Sequence, residues 1–177
     1  GDTMKAADIS LRDNVHMQLM GELYRAFDFF NKKFAVALER PVITIASKGN
    51  RAVLGWFSHD IWESSGKTLH EINICGEALA RGPDQAFETL LHEMAHMKNR
   101  AAGIVDCAEN QRHNGHFKNA ANELGLHAET RPGKLARFGI AFTSLQPLTK
   151  KLIDEQFKPN VEAFNLFRRE FNETKKK

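Results

Sequence analysis

Cysteine is almost absent from this chain: Cys75 and Cys107 are the only two in 177 residues. That is too few for a disulfide framework. One bridge is compatible with the count, but two free thiols in a reducing compartment suit it better. No apolar run reaches membrane-spanning length, and no secretory pattern opens the sequence. Both absences lead to the expectation of an intracellular protein that is neither secreted nor membrane-bound. Charge imbalance is also small. The net charge is +3, and the stretch from Leu145 onward, with 8 basic and 5 acidic residues, accounts for all of it. Such a tail is compatible with weak attraction to DNA and equally with a solvated helix. What remains, 42% hydrophobic and 27% charged, is the composition of an ordinary globular protein, long enough for one domain with a real core.

Against that background one stretch stands out, Leu90-Leu91-His92-Glu93-Met94-Ala95-His96. It contains H-E-x-x-H. Residues four apart share a helix face, so both imidazoles can reach one Zn²⁺. Glu93 sits about 100° further round the helix, where its carboxylate could take a proton from water on the metal. In such sites the metal lowers the pKa of that water to roughly 7, and the glutamate serves as general base. A bare pentapeptide also arises on surface helices by chance. The flanks argue against that reading here: Phe87, Leu90, Leu91, Met94 and Ala95 form an apolar stripe at helical spacing. Polar groups buried with that stripe would be costly unless something bound them.

A catalytic zinc takes three protein ligands and keeps a fourth position open. The next histidines downstream are His113 and His116, opening a second helical pattern (Phe117, Ala120, Ala121, Leu124) that ends at Gly125. Asp106, Cys107, Glu109 and Glu123 are rivals by residue type. The succession Leu-Leu-His-Glu-Met-Ala-His, a linker, then His-Asn-Gly-His-Phe-Lys resembles the SprT-like zinc metallopeptidases, the Spartan-type zincin proteases. The resemblance extends over roughly residues 15 to 145, through Gly55-Trp56-Phe57, Glu71-Ile72-Asn73-Ile74 and Gly82-Pro83-Asp84. It implies that His113, four residues before Phe117, is the third ligand beside His92 and His96, with His116 a bystander on the surface or behind the ligands. It further implies one Zn²⁺ per chain, Glu93 as the catalytic base, and hydrolysis of peptide bonds in protein substrates, including DNA-associated ones, in a cytoplasmic, nucleoid or nuclear setting. An edge strand at Glu71–Ile74, pairing with extended substrate, belongs to the same analogy. The chain departs from the family in one respect. Neither C-x-x-C pair of the frequent C-terminal zinc ribbon is present, which excludes a second structural zinc there.

The rest of the chain supplies the frame. A long amphipathic helix is expected from about Leu11 to Leu38, with Val15, Leu19, Leu23, Phe27 and Phe30 inward, ended by Arg40-Pro41. His16 within it reads as an ordinary surface histidine. Strand-like runs follow at Val42–Ala46, Val53–Phe57 and Leu69–Ile74, with turns near Gly49-Asn50 and at Ser64-Ser65-Gly66. His59 and His70 on these runs lack ligand spacing to the helix motif. Arg81-Gly82-Pro83-Asp84 starts the H-E-x-x-H helix, which runs to Ala101 or Ala102. A strand is expected at Phe138–Phe142. The preceding Arg131, Lys134 and Arg137 could touch nucleic acid, although a solvated loop explains them as well. A helical extension starting at Pro147 breaks near Lys158-Pro159. The expected fold is α+β, a compact zincin-like domain over residues 1–146 with a small, mainly antiparallel sheet and a ligand-bearing helix after the H-E-x-x-H helix. Residues 147–177 form a basic C-terminal extension. Two other classes fit the sequence: a low-turnover zinc module with a binding or regulatory role, and a nucleic-acid-associated adaptor.

Overall fold

The computed structural model describes residues 14–47 and 53–170 of the chain, an α+β arrangement. Helix α1 spans Val15–Lys33, and the side chain of Asn14 caps it by accepting from the Met17 N–H at 3.0 Å. Leu19, Leu23, Ala26, Phe27 and Phe30 form its buried stripe, while Val15 at the first turn is 59% exposed. The helix stops well short of Arg40. Asn31 donates to the carbonyl of Leu38 and accepts from its N–H, both at 2.8 Å, and Ala35 and Ala37 take positive φ of 51°. The Asn31 amide thus holds the chain in a tight reversal that offsets the cost of left-handed backbone at two alanines.

Strands β1 (Val42–Thr44), β2 (Gly55–Ser64) and β3 (Lys67–Ile74) form one sheet in the order β1-β3-β2. β3 pairs parallel with β1, Val42 opposite Glu71, and antiparallel with β2, Gly55 opposite Ile74. Glu71–Ile74 is therefore the middle of the sheet, not its edge; both sides of its backbone are already paired. Its burial explains the placement, because Glu71 through Ile74 are all buried and a strand covered on both sides is what the apolar positions require. The two buried polar residues on β3 have partners. Asn73 accepts from Thr44 Oγ1 and the Ala46 N–H, each at 2.7 Å, and Glu71 accepts from the indoles of Trp56 and Trp62 at 2.8 and 3.1 Å. Ser65 and Gly66, at φ 51° and 78°, close the β2–β3 hairpin where the turn was expected. β2 runs further than its apolar core suggests, because its outer half is exposed and reads as loop in the sequence. The expected turn at Gly49-Asn50 lies outside the described residues.

Helix α2 (Pro83–Ala101) begins where the sequence predicts, with Pro83 in its first turn and Gly82 at φ 95° before it. Helix α3 (Gly115–Glu123) is shorter than expected at its start. Asn114 is the N-cap, its side chain accepting from the N–H groups of His116 and Phe117 at 2.9 and 3.2 Å. His113 consequently precedes the helix and is not borne on it. β4 (Leu126–Glu129) and β5 (Phe142–Leu145) make a separate antiparallel pair. The strand expected at Phe138–Phe142 is displaced to β5, because Gly133–Phe138 coils into a 3₁₀ turn and Gly139 takes φ 68°. Beyond β5 come α4 (Pro147–Leu152), a π turn over Ile153–Phe157 and a 3₁₀ turn over Val161–Asn165. Ile153, Phe157, Ala163 and Phe164 belong to the same buried core as α1 and α2. Among the described residues, no helix is long and apolar enough to cross a membrane, and Cys75 and Cys107 are not joined in a disulfide.

Candidate metal centre

Helix α2 is buried along most of its length, so its polar residues must be answered locally. Glu93 is 5% exposed, and His92 and His96 are partly buried beside it. The third imidazole arrives from outside the helix. The His113 N–H donates to Phe138 O at 2.9 Å, and its carbonyl accepts from the Ile140 N–H at 3.1 Å. These bonds bridge His113 to Gly139; on the other side the Ala108 N–H donates to Arg112 O and the Asn114 N–H to Asp106 O, each at 3.0 Å, which bridges it to Cys107. Close approach is possible only because residue 139 is glycine: a Cβ there would lie 2.2 Å from the His113 carbonyl oxygen. Phe117, in the first turn of α3, packs against all three rings, with centroids at 4.7 Å from His92 and 4.6 Å from both His96 and His113. The aromatic four residues after His113 is therefore the common wall of the three imidazoles.

One nitrogen from each of His92, His96 and His113 falls within a 4.8 Å cluster, and His96 Nε2 lies 3.2 Å from His113 Nε2. Each ring is held from behind through Nδ1. His113 Nδ1 is 2.9 Å from the Gln111 carbonyl, His96 Nδ1 is 2.8 Å from Asp106 Oδ2, and His92 Nδ1 is 3.0 Å from Thr143 Oγ1. A carbonyl and a carboxylate can only accept, so His113 and His96 carry a proton on Nδ1. That leaves Nε2 as the ligand atom. This backing is how metal-binding histidines are oriented. A buried His92/His96/His113 group of this kind could hold a metal ion.

The electrostatics are those of a site for one cation. Burial, reinforced by its two neighbours, holds His92 well below the usual histidine range. Burial and the charge of His96 lower His113 as well. Burial opposes charge on His96 too, but hydrogen bonds to Asp106 and Cys107 and the carboxylates of Glu93 and Asp106 outweigh it and push its pKa up to about 10. Glu88, one turn before His92, accepts from Thr143 Oγ1 and from the Gln85 amide. Burial raises its carboxyl, while those two bonds and the charges of Arg131 and Arg81 pull the other way.

The rival ligands have other places. Asp106 orients His96 and accepts from Asn99 Nδ2 at 3.0 Å. It groups with His96 and Cys107 as a second set of donor atoms within 4.8 Å, but that set shares His96 and its carboxylate is already engaged. Glu123 pairs with Lys98 at 2.7 Å, and Glu109 and His116 are exposed. His59 and His70 gather around Asp60, each at 3.6 Å, and neither belongs to the triad. Arg131, Lys134 and Arg137 are exposed, with the guanidinium of Arg131 over the Phe142 ring at 4.5 Å and that of Arg137 over Phe138 at 4.7 Å. Next to His113 opens a groove of about 420 Å³, lined in part by Val105, Cys107, Arg112 and Ile140. Sequence reasoning missed Thr143, Glu88 and the Gln111 carbonyl as groups of this site: Thr143 is 51 residues from His92, Glu88 reads as an acidic residue near the helix start, and a backbone carbonyl leaves no residue-type signal. No protein-family model, curated protein or solved structure matches this chain.

Proposed function

We propose that the chain is a zinc-dependent endopeptidase with a zincin-like domain of the SprT-like kind. One observation carries this reading: three imidazoles, each backed at Nδ1, turn their remaining nitrogens into one cluster beside the buried Glu93. The donor set fits zinc. Three imidazole nitrogens, with no fourth protein donor in that cluster among the described residues, are what a catalytic rather than a structural zinc uses. Zinc bound there would supply Lewis acidity to a water and to the scissile carbonyl.

The rest falls to the chain's own groups. Glu93 takes a proton from the attacking water at its carboxylate and returns it to the leaving amine. Its charge already acts on His96, which fits a position next to the ligands. The substrate backbone pairs with the outer edge of β2, which among the described residues forms one margin of the sheet. That strand lies against α2 near the site: a Cβ on Gly55 would come 2.6 Å from Thr89 Cγ2, one turn before His92. The groove beside His113 receives a substrate side chain. Substrates held on nucleic acid enter this proposal through the exposed Arg131, Lys134 and Arg137, on the loop leading to β5.

Elemental mass spectrometry of the purified chain beside His113→Ala tests the metal. About one zinc per chain, lost in the variant, is expected; zinc retained in the variant would move the third ligand elsewhere. Cleavage of a labelled unfolded protein then tests the chemistry. Glu93→Gln should keep its zinc and lose about 10²-fold or more in rate. Equal cleavage by Glu93→Gln and the parent would overturn the reading in favour of a low-turnover zinc module.

A further inference from the structure

We infer that Thr143 and Glu88 form a relay that sets the tautomer of His92 and so makes its Nε2 available to a metal. The inference rests on the metal-centre reading above and adds two positioning residues to it. At His96 and His113 the partner of Nδ1 is a pure acceptor, so the tautomer is dictated directly. His92 is different, because a threonine hydroxyl can either donate or accept. Left alone, Thr143 would tolerate both tautomers of His92, and one of them places the proton on Nε2, where a metal must bind.

Glu88 removes that freedom. It sits four residues before His92 on the same face of α2, and Thr143 on β5 bridges the two side chains. The hydroxyl has a single proton. Thr143 Oγ1 gives it to Glu88 Oε1, while Glu88 Oε2 is taken up by the Gln85 amide, so both carboxylate oxygens act as acceptors. Oγ1 then has only a lone pair to offer His92, and Nδ1 must donate to it. His92 Nε2 is left bare. A hydrogen-bonded chain of two side chains thus gives His92 the same tautomer that Asp106 and Gln111 impose on the other two rings. It also explains why a mostly buried glutamate stands one turn from the ligands without contributing to the donor cluster.

The experiment uses the full chain, ¹⁵N-labelled on histidine. In the metal-free protein, long-range ¹H–¹⁵N spectra should find His92 protonated at Nδ1. Glu88→Leu, which leaves Thr143 in place but frees its hydroxyl, should shift His92 towards the Nε2–H form. Zinc affinity, read by competition with a chromogenic chelator, should fall about 10- to 100-fold in Thr143→Val and in Glu88→Leu. Thr143→Ser, which keeps the hydroxyl, should stay near the parent. An Nε2–H His92 in the parent would overturn the relay, as would parent-like zinc affinity in both Thr143→Val and Glu88→Leu. If either variant fails to fold by circular dichroism, the parent spectrum and Thr143→Ser still decide. If the parent takes up no zinc, the metal reading fails, and the tautomer measurement, made without metal, judges the relay separately.

Discussion

Gly139 shows how much of the site depends on a residue with no side chain. Its φ of 68° and the 2.2 Å that a Cβ would leave to the His113 carbonyl make any other residue there both strained and overlapping. Gly139→Ala should therefore destabilise the fold by about 2 kcal/mol or more. On the proposed zinc reading it should also lower zinc uptake in the fraction that remains folded, because the backbone that must yield carries His113, the proposed third ligand. Thermal unfolding together with chelator competition checks both effects, and a variant with parent-like affinity would show that His113 is positioned by its other bonds alone. Residues of this kind divide by what the sequence reveals of them. His92, Glu93 and His96 are legible because helical spacing alone puts them together. His113 needed the family register, and Phe117, which served only as a marker in that register, is the wall against which the rings pack. Asp106 is a rival ligand by residue type alone; its place behind His96 is a matter of tertiary distance, 2.8 Å from Nδ1. Thr143 lies 51 residues from His92 along the chain, and no local pattern connects a threonine in a strand to a distant helix.

Elements with strong local signals came through with their boundaries. α2 has proline at its start and an unbroken apolar face, and it begins and ends as expected. α1 overran in the reading because its termination depends on a side chain, Asn31, satisfying backbone seven residues ahead. β3 reads as an edge in the sequence because strand order in a sheet is a long-range fact, and the parallel pairing of β1 closes that side. α3 is instructive in another way. Its apolar pattern is correct, but Asn114 caps the helix, and this one residue separates a histidine on the helix from a histidine before it. Removing the cap by Asn114→Ala leaves the His116 and Phe117 N–H groups without their side-chain acceptor and also loses the Asn114 bond to Val105 O at 2.9 Å. The expected cost is about 1 kcal/mol of stability. Since the neighbouring residue is His113, zinc affinity should fall with it, whereas an exposed α3 substitution such as Lys118→Ala should change neither. Equal affinity in Asn114→Ala and Lys118→Ala would show that the cap stabilises the helix without placing the ligand.

At the scale of the whole molecule, the candidate metal site rests on a core to which both ends of the described chain contribute. The sequence after Pro147 draws attention through its charge, which is compatible with weak attraction to DNA and equally with a solvated helix. Its few apolar residues matter more. Phe157 packs against Phe29, Phe30 and Phe87 at centroid distances of 5.3, 6.3 and 5.4 Å, and Phe164 meets Phe87 at 5.2 Å. Arg25 of α1 spans the junction, its guanidinium 3.8 Å from the Phe157 ring and its Nη1 donating to the Phe157 carbonyl at 2.9 Å. Isolated aromatics among lysines carry no periodicity, so composition could not announce that this segment supports α2 from behind. Phe87 lies on α2 five residues before His92, so the aromatic cluster holds the helix that carries two of the three clustered histidines without touching them. Phe157→Ala should cost about 3 to 5 kcal/mol. For a chain of this size that corresponds to a fall in Tm of roughly 10 °C. The zinc affinity of the folded protein should nevertheless stay close to the parent's, since none of the three rings or their Nδ1 partners loses a contact. A large stability loss with preserved affinity would place the C-terminal segment in the scaffold. A selective loss of zinc with little change in Tm would instead mean that the cluster sets the position of α2, so that ligand geometry depends on packing at the far end of the chain.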